Sequence, residues 1–250
     1  MVSSEDIERF VASLPPRYAR TFDTDTMERH ARTAHARNSR LVNVGLFHCP
    51  SRPGKGLSVV APDRPGLLAI ISLAFDMCGL DIIEAEVFTR HDPLGDDEAL
   101  DLFWVRHKVA PATTGLAPAG VRQLRDTLVH LLERAPKELL PVMERGYKTP
   151  AATGTLVRFL EDREGRFANL EIETNDRSGL LLGVCQALFN EGIQIVGSRI
   201  KTEAGRVWGR FEITELLDTP IEHSRRHIIK LAILHAVDNV AKDTIARMVG

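Results

Sequence analysis

Cysteine is scarce in this chain. Cys49, Cys78 and Cys185 lie far apart, and none belongs to a Cys-x-x-Cys pair. That excludes a disulfide framework and a zinc knuckle, and a reducing cytosol is the expected compartment. A dominant charge sign is missing too: the formal net charge is −2, so the chain as a whole has no nucleic-acid footprint. No apolar run spans a bilayer. The longest, around Leu67 to Phe75, is broken by Ser72 and followed by Asp76, well short of the roughly 20 residues a membrane helix needs. The acidic start Met1-Val-Ser-Ser-Glu-Asp lacks the apolar core of a secretory signal. The initial methionine leads us to expect a complete protein rather than a fragment.

What is present is an internal repeat. Asp63-Arg-Pro-Gly-Leu-Leu opens one copy and Asp176-Arg-Ser-Gly-Leu-Leu the other. The register holds through Ala74/Ala187, Gly79/Gly192, Leu80/Ile193 and Ile82/Ile195. Beyond a hairpin that is five residues shorter in the second copy, Phe103 matches Phe211. A length change confined to a hairpin is what two copies of one fold show. At 250 residues, 44% hydrophobic and 26% charged, the chain has ordinary globular composition and room for two domains of about 100–120 residues.

Hydrophobic periodicity places the elements. In the first copy it predicts strands at 41–47, 56–61, 81–90 and 99–108, with helices from Pro65 to Cys78 and over 118–135. Pro65 fits the first helical turn and Gly79 the C-terminal cap. The second copy repeats the order: strands at 155–160, 167–174, 194–202 and 206–214, helices over 178–191 and 222–241. Each copy reads β-β-α-β-β-α, a ferredoxin-like unit with its last strand moved to the front. The fold class is therefore α+β, with domains at 41–135 and 155–241, a Pro/Gly-rich linker at 136–154 and a tail at 242–250. The strands at Leu41 and Thr155 can complete the sheet of their own domain or be exchanged. Residues 1–40 read as a detached helical segment, with a Ser3 or Ser4 cap and a break at Pro15-Pro16. Six arginines from Arg17 to Arg40 face three acids. This reads as a solvated helix face, with a basic docking arm as the alternative.

Chemistry is expected at the repeated strand-to-helix corner. Asp63 or Asp176 can cap the following helix. Gly66 or Gly179 permits close approach of backbone or ligand, and the first-turn amides suit a carboxylate or phosphate. The alternative is that a capping Asp and a packing Gly serve the fold alone.

Ala61-Pro-Asp-Arg-Pro-Gly-Leu-Leu, Gly79-Leu-Asp-Ile and Ala99-Leu-Asp-Leu-Phe-Trp-Val resemble an ACT domain, a ferredoxin-like regulatory module that in many cases binds free amino acids. The tandem order over 41–241 resembles the ACT pair at the C-terminus of the bacterial PII uridylyltransferase/uridylyl-removing enzymes. Leu14-Pro-Pro-Arg-Tyr and His30 resemble the segment before that pair. The second copy departs from the pattern: Ser178 replaces proline and Glu212 stands in place of Trp104. The resemblance implies ligand contacts at Asp63, Arg64, Gly66 and Leu67, and at Asp176, Arg177, Gly179 and Leu180. It implies that Asp81 and Gln194 reach across from a partner unit. The implied ligand is a free amino acid, glutamine first, with its ammonium on a carboxylate and its carboxylate on helix amides. Family members often carry asparagine at the Asp positions. A homodimer through ACT sheets and a regulated protein partner are also implied, with no cofactor.

Enzymatic signatures are lacking. Gly197-Ser198 is followed by no Asp-x-Asp pair, and Asp23-x-Asp25 has no Gly-Ser before it, so no nucleotidyltransferase site is expected. His91-Asp92 is an isolated dipeptide on a hairpin, and His30 and His35 are misspaced for one helical face. The run Asp96-Asp97-Glu98 reads as a solvated hairpin tip rather than a Ca²⁺ loop. Phe88, Phe103 and Trp104 read as core. The expected protein is a non-catalytic regulatory module. The alternatives are a ligand-free interaction module and a regulatory fragment of a uridylyltransferase.

Overall fold

The computed structural model describes residues 2–52, 55–91, 97–108, 116–134, 154–160, 167–216 and 218–238. The expected linker from 136 to 153, the tail, Asp92 and Asp96 lie outside these. The described residues form α1 (Ser4–Ala12), α2 (Pro16–Thr21), α3 (Thr24–Arg37), β1 (Asn43–His48), β2 (Lys55–Pro62), α4 (Leu67–Met77), β3 (Leu80–Arg90), β4 (Glu98–His107) and α5 (Pro118–Leu132). They continue with β5 (Leu156–Leu160), β6 (Ala168–Asn175), α6 (Leu180–Asn190), β7 (Ile193–Glu203), β8 (Arg206–Glu215) and α7 (His223–Asp238). Two compact units result. One comprises residues 2–64 and 74–134, the other residues 65–73 and the described residues from 154 onward.

In the first unit the antiparallel strand order is β1-β2-β4-β3. In the second it is β5-β6-β8-β7. Each is the ferredoxin-like order, with the first strand on the edge that a C-terminal strand would occupy. The open question of exchange is thereby answered: β1 pairs with β2 and β5 with β6, each in its own unit. The two copies share a β-bulge at the same place, between Ile82 and Glu84 and between Ile195 and Gly197. Their registers also correspond, Val59 opposite Asp101 and Ile172 opposite Gly209.

Alternation sends Phe103 of β4 to one face, where its ring meets Phe75 of α4 at 4.8 Å. Leu100, Leu102 and Trp104 point to the other face. There they join Phe10, Leu14, Tyr18, Phe22, Ala31 and Ala34 in one buried cluster with Phe47, Val60 and Phe88. The expectation of a detached N-terminal segment is overturned: α1–α3 cover the second face of the first sheet. Local sequence starts each helix. Ser3 and Asp6 form a capping box on α1, Pro16 opens α2, and Asp23 accepts from the Thr26 amide at α3. Pro65, by contrast, lies in the turn before α4 rather than in its first turn.

The arginines of this segment are neither a solvated face nor a free arm throughout. Arg17 lies over the Phe88 ring at 4.4 Å and donates to the Val87 carbonyl at 2.7 Å. Arg37 pairs with Glu98, which also receives Arg90 at 3.0 Å. Arg52 in the β1–β2 loop stacks on Trp104 at 4.0 Å and binds Glu86 at 2.8 Å. Glu98, read as part of a solvated tip, is instead buried by this pairing. A methyl group on Gly56 would fall 2.3 Å from the Phe47 ring, so glycine there lets Phe47 lie across β2 and fill the cluster.

The matching face of the second unit carries Trp208, Arg210 and Glu212 where the first has Leu100, Leu102 and Trp104. Trp208 donates to Glu171 at 2.7 Å, Arg158 pairs with the same carboxylate, and Arg206 binds Glu173 at 2.7 Å. Arg158 holds the Glu171 carboxyl below its ordinary pKa. The apolar core of this unit is on the other side, in Leu170, Ile172, Phe211 and Ile213, and α6 packs against α7 and β7.

Candidate functional site

The two repeated corners share a backbone device. The Asp63 amide donates to the Asp97 carbonyl and the Asp176 amide to the Gly205 carbonyl, each at 2.8 Å. Each corner is thus fastened to the hairpin of its own copy. Gly66 and Gly179 are left-handed, at φ 79° and 76°, a conformation that costs other residues roughly 1–2 kcal/mol. Their carbonyls accept the first helical bonds, from Ile70 and Gly183. Gly179 is the N-cap of α6, a residue with no side chain to cap it. The N-cap position of α6 is thus held by a glycine rather than by Asp176. Leu67 and Leu180 are buried.

Asp63 turns inward. Its Oδ2 accepts from the Thr89 hydroxyl at 2.8 Å. Burial raises its pKa, a rise opposed by the Thr89 bond and reinforced by Asp97. Behind it sits Asp101, 1% exposed, whose Oδ1 has no hydrogen-bond partner among the described residues. Burial holds the Asp101 carboxyl well above the usual carboxylate range, and the charge of Asp63 adds to this. Sequence reasoning missed Asp101. Its signal was a lone acid between Leu100 and Leu102, on the face that Phe103 shares. The register places Gly209 at this position in the second copy, so the corners differ by a whole carboxyl group.

Arg64 is the matching cation. Its Nε and Nη2 are shielded from solvent and lack an acceptor among the described residues, and burial lowers its pKa. Shielded N–H donors without an acceptor are costly. Arg64 follows Asp63 in the chain, so the corner carries groups of both charges. Arg177 and Asp176 are half-buried in the second corner.

Asp81 lies at the opposite end of β3 from Thr89, eight residues or about 26 Å along the strand. It accepts from Arg106 Nη2 at 2.7 Å and Nε at 3.1 Å across the sheet. Gln194, the second residue of β7, lies opposite Thr214, far from the Gly205 end that holds Asp176. Neither unit brings its own Asp81 or Gln194 to its own corner.

No group of three or more His, Cys, Asp or Glu side chains suited to a metal occurs among the described residues, and no described helix is long and apolar enough to cross a membrane. His30 is fully buried, with Nδ1 2.9 Å from the Tyr18 hydroxyl. Burial pushes its pKa down to about 3.

The fold and corners define an α+β protein made of two ferredoxin-like repeats. No protein-family model matches the chain. Its relatives are bifunctional uridylyltransferase/uridylyl-removing enzymes. That of Gluconobacter oxydans is 30% identical over 88% of this chain and 24% of its own length. That of Rhodospirillum rubrum is 30% identical over 97% and 26%, and that of Azospirillum brasilense 28% identical over 93% and 25%. The chain spans about a quarter of the length of these relatives.

Proposed function

We propose that this chain is a non-catalytic regulatory module, a tandem ACT pair corresponding to the regulatory part of a uridylyltransferase/uridylyl-removing enzyme. Its ligand is a free amino acid, glutamine first, and it signals to a protein partner in amino-acid or nitrogen metabolism. The observation that carries this reading is the Asp63 corner. There the half-buried Arg64, whose Nε and Nη2 lack an acceptor among the described residues, follows the inward-turned Asp63 at a left-handed glycine turn. An α-amino acid supplies the missing carboxylate to Arg64 and an ammonium to Asp63. Asp81 or Gln194 joins the site only from a facing unit, so ligand occupancy is tied to the pairing of units. A sensor follows if the ligand binds the paired and unpaired arrangements with different affinity.

Calorimetric titration of the full chain with each of the twenty amino acids tests this. Saturable heat with one or a few of them is expected, accompanied by a rise in melting temperature. Arg64→Ala is expected to abolish the heat while the fold persists. Absence of heat and of any melting shift at millimolar ligand sinks the sensing claim. The hold of Arg106 on Asp81 favours a second reading, in which these residues serve the sheet and the module binds protein alone. Under it, Asp63→Ala and Asp176→Ala change stability and nothing else. Uridylyl transfer to a PII protein by this chain alone would overturn the non-catalytic assignment.

A further inference from the structure

The N-terminal helices do more than cover the first sheet. On the face opposite Thr89 and Asp101, a cleft of about 1020 Å³ opens between α1, the end of α3 and the base of the β3–β4 hairpin. Its size is that of a pocket for a small organic molecule. Its floor is apolar, from the buried Phe10, Ala31 and Ala34. Its rim carries Arg9, Arg37, Arg40 and Arg90 with His35 and His91, against the two carboxylates Asp6 and Glu98.

Both carboxylates are already engaged. Asp6 closes the capping box, accepting from the Ser3 amide at 3.0 Å and the Ser3 hydroxyl at 2.7 Å. Glu98 lies between Arg37 and Arg90. The carbonyls at the end of α3 are engaged as well, Arg37 O by the Arg40 amide at 2.9 Å and Arg40 O by the Arg37 guanidinium at 2.8 Å. Arg40 itself meets no carboxylate among the described residues. Arg9 shares Glu5 at 3.1 Å and Asp6 at 3.6 Å, with its side chain 70% exposed. Guanidinium groups thus outnumber carboxylates over an apolar floor, in a chain whose net charge is negative. An excess of positive charge over a concave, low-dielectric floor favours an anion at the opening.

We infer that this cleft is a binding site for a small organic anion, a phosphate or carboxylate borne on an apolar body. The body lies on Phe10, Ala31 and Ala34, and the anionic head meets Arg9 and Arg40 at the rim. The site is separate from the Asp63 corner and does not depend on amino-acid binding there.

The probe is phenyl phosphate, titrated calorimetrically into the full chain. Inorganic phosphate supplies the head without the body, and benzyl alcohol an uncharged ring. Saturable one-site binding of phenyl phosphate is expected, weaker binding of inorganic phosphate and none of benzyl alcohol. Added salt lowers the affinity. The double variant Arg9→Ala/Arg40→Ala loses about tenfold or more in affinity, whereas Arg206→Ala in the second unit loses nothing. Arg40→Glu, one exposed position, repeats the test should the double variant melt early. No saturable heat with phenyl phosphate overturns the inference. So do equal affinities for phenyl and inorganic phosphate, and an Arg40→Glu chain that binds as well as the parent.

Discussion

His30 and Asp101 are buried titratable side chains that tilt stability with pH in opposite directions. His30 has a folded pKa of about 3 against an ordinary value of 6.5. Its neutral form costs nothing above 6.5. Below that, the unfolded chain takes up a proton that the folded chain refuses, and stability falls by about 1.4 kcal/mol per pH unit. His30→Gln, which keeps an acceptor for the Tyr18 hydroxyl, is expected to flatten this acid limb in thermal melts recorded across pH. Asp101 has a raised folded pKa. Its penalty is absent below the ordinary carboxylate range and grows as pH rises through it, because the unfolded chain ionises first. Asp101→Asn is therefore expected to raise the melting temperature at neutral pH and leave it unchanged in strong acid. Only part of this was legible in the sequence. The alternation of β4 put Asp101 on the inward face. Nothing in one strand, however, said that Asp63 would turn toward it and away from the helix amides.

At the level of elements, the mismatch of Trp104 with Glu212 was visible in the sequence, and its meaning was not. Strands and helices followed from local periodicity, whereas the pairing of β1 and β5 within their own units came only with the structure. Docking of α1–α3 depends on contacts between Phe10 or Tyr18 and residues seventy or more positions away, which no local pattern carries. With the structure, Trp104 is the residue that needs a lid, wedged between Phe47 at 5.4 Å and Arg52 at 4.0 Å. Trp104→Glu, which installs the second copy's residue, is expected to cost ~3–5 kcal/mol of stability in urea unfolding. Glu212→Trp, on a charged face, is expected to stay within about 0.5 kcal/mol. Gly179→Ala, which forces a left-handed alanine at the start of α6, is expected to cost roughly 1–2 kcal/mol.

For the whole molecule, the chain spans about a quarter of the length of relatives named bifunctional enzymes. A ligand at a hundred times its dissociation constant should stabilise the fold by about 2.7 kcal/mol. Glutamine at saturation is thus expected to lift the melting curve by several degrees, an effect that Arg64→Ala removes. The unequal sheet faces bear on how such a protein can be divided or rebuilt. The first repeat is not portable: cut free at residue 41, it would present Leu100, Leu102 and Trp104 to water and aggregate. The second repeat, whose face is ionic, needs no such companion. A chimera of two second repeats would dispense with the first forty residues, and one of two first repeats would need them twice. The two copies are therefore alike in backbone and not interchangeable as parts.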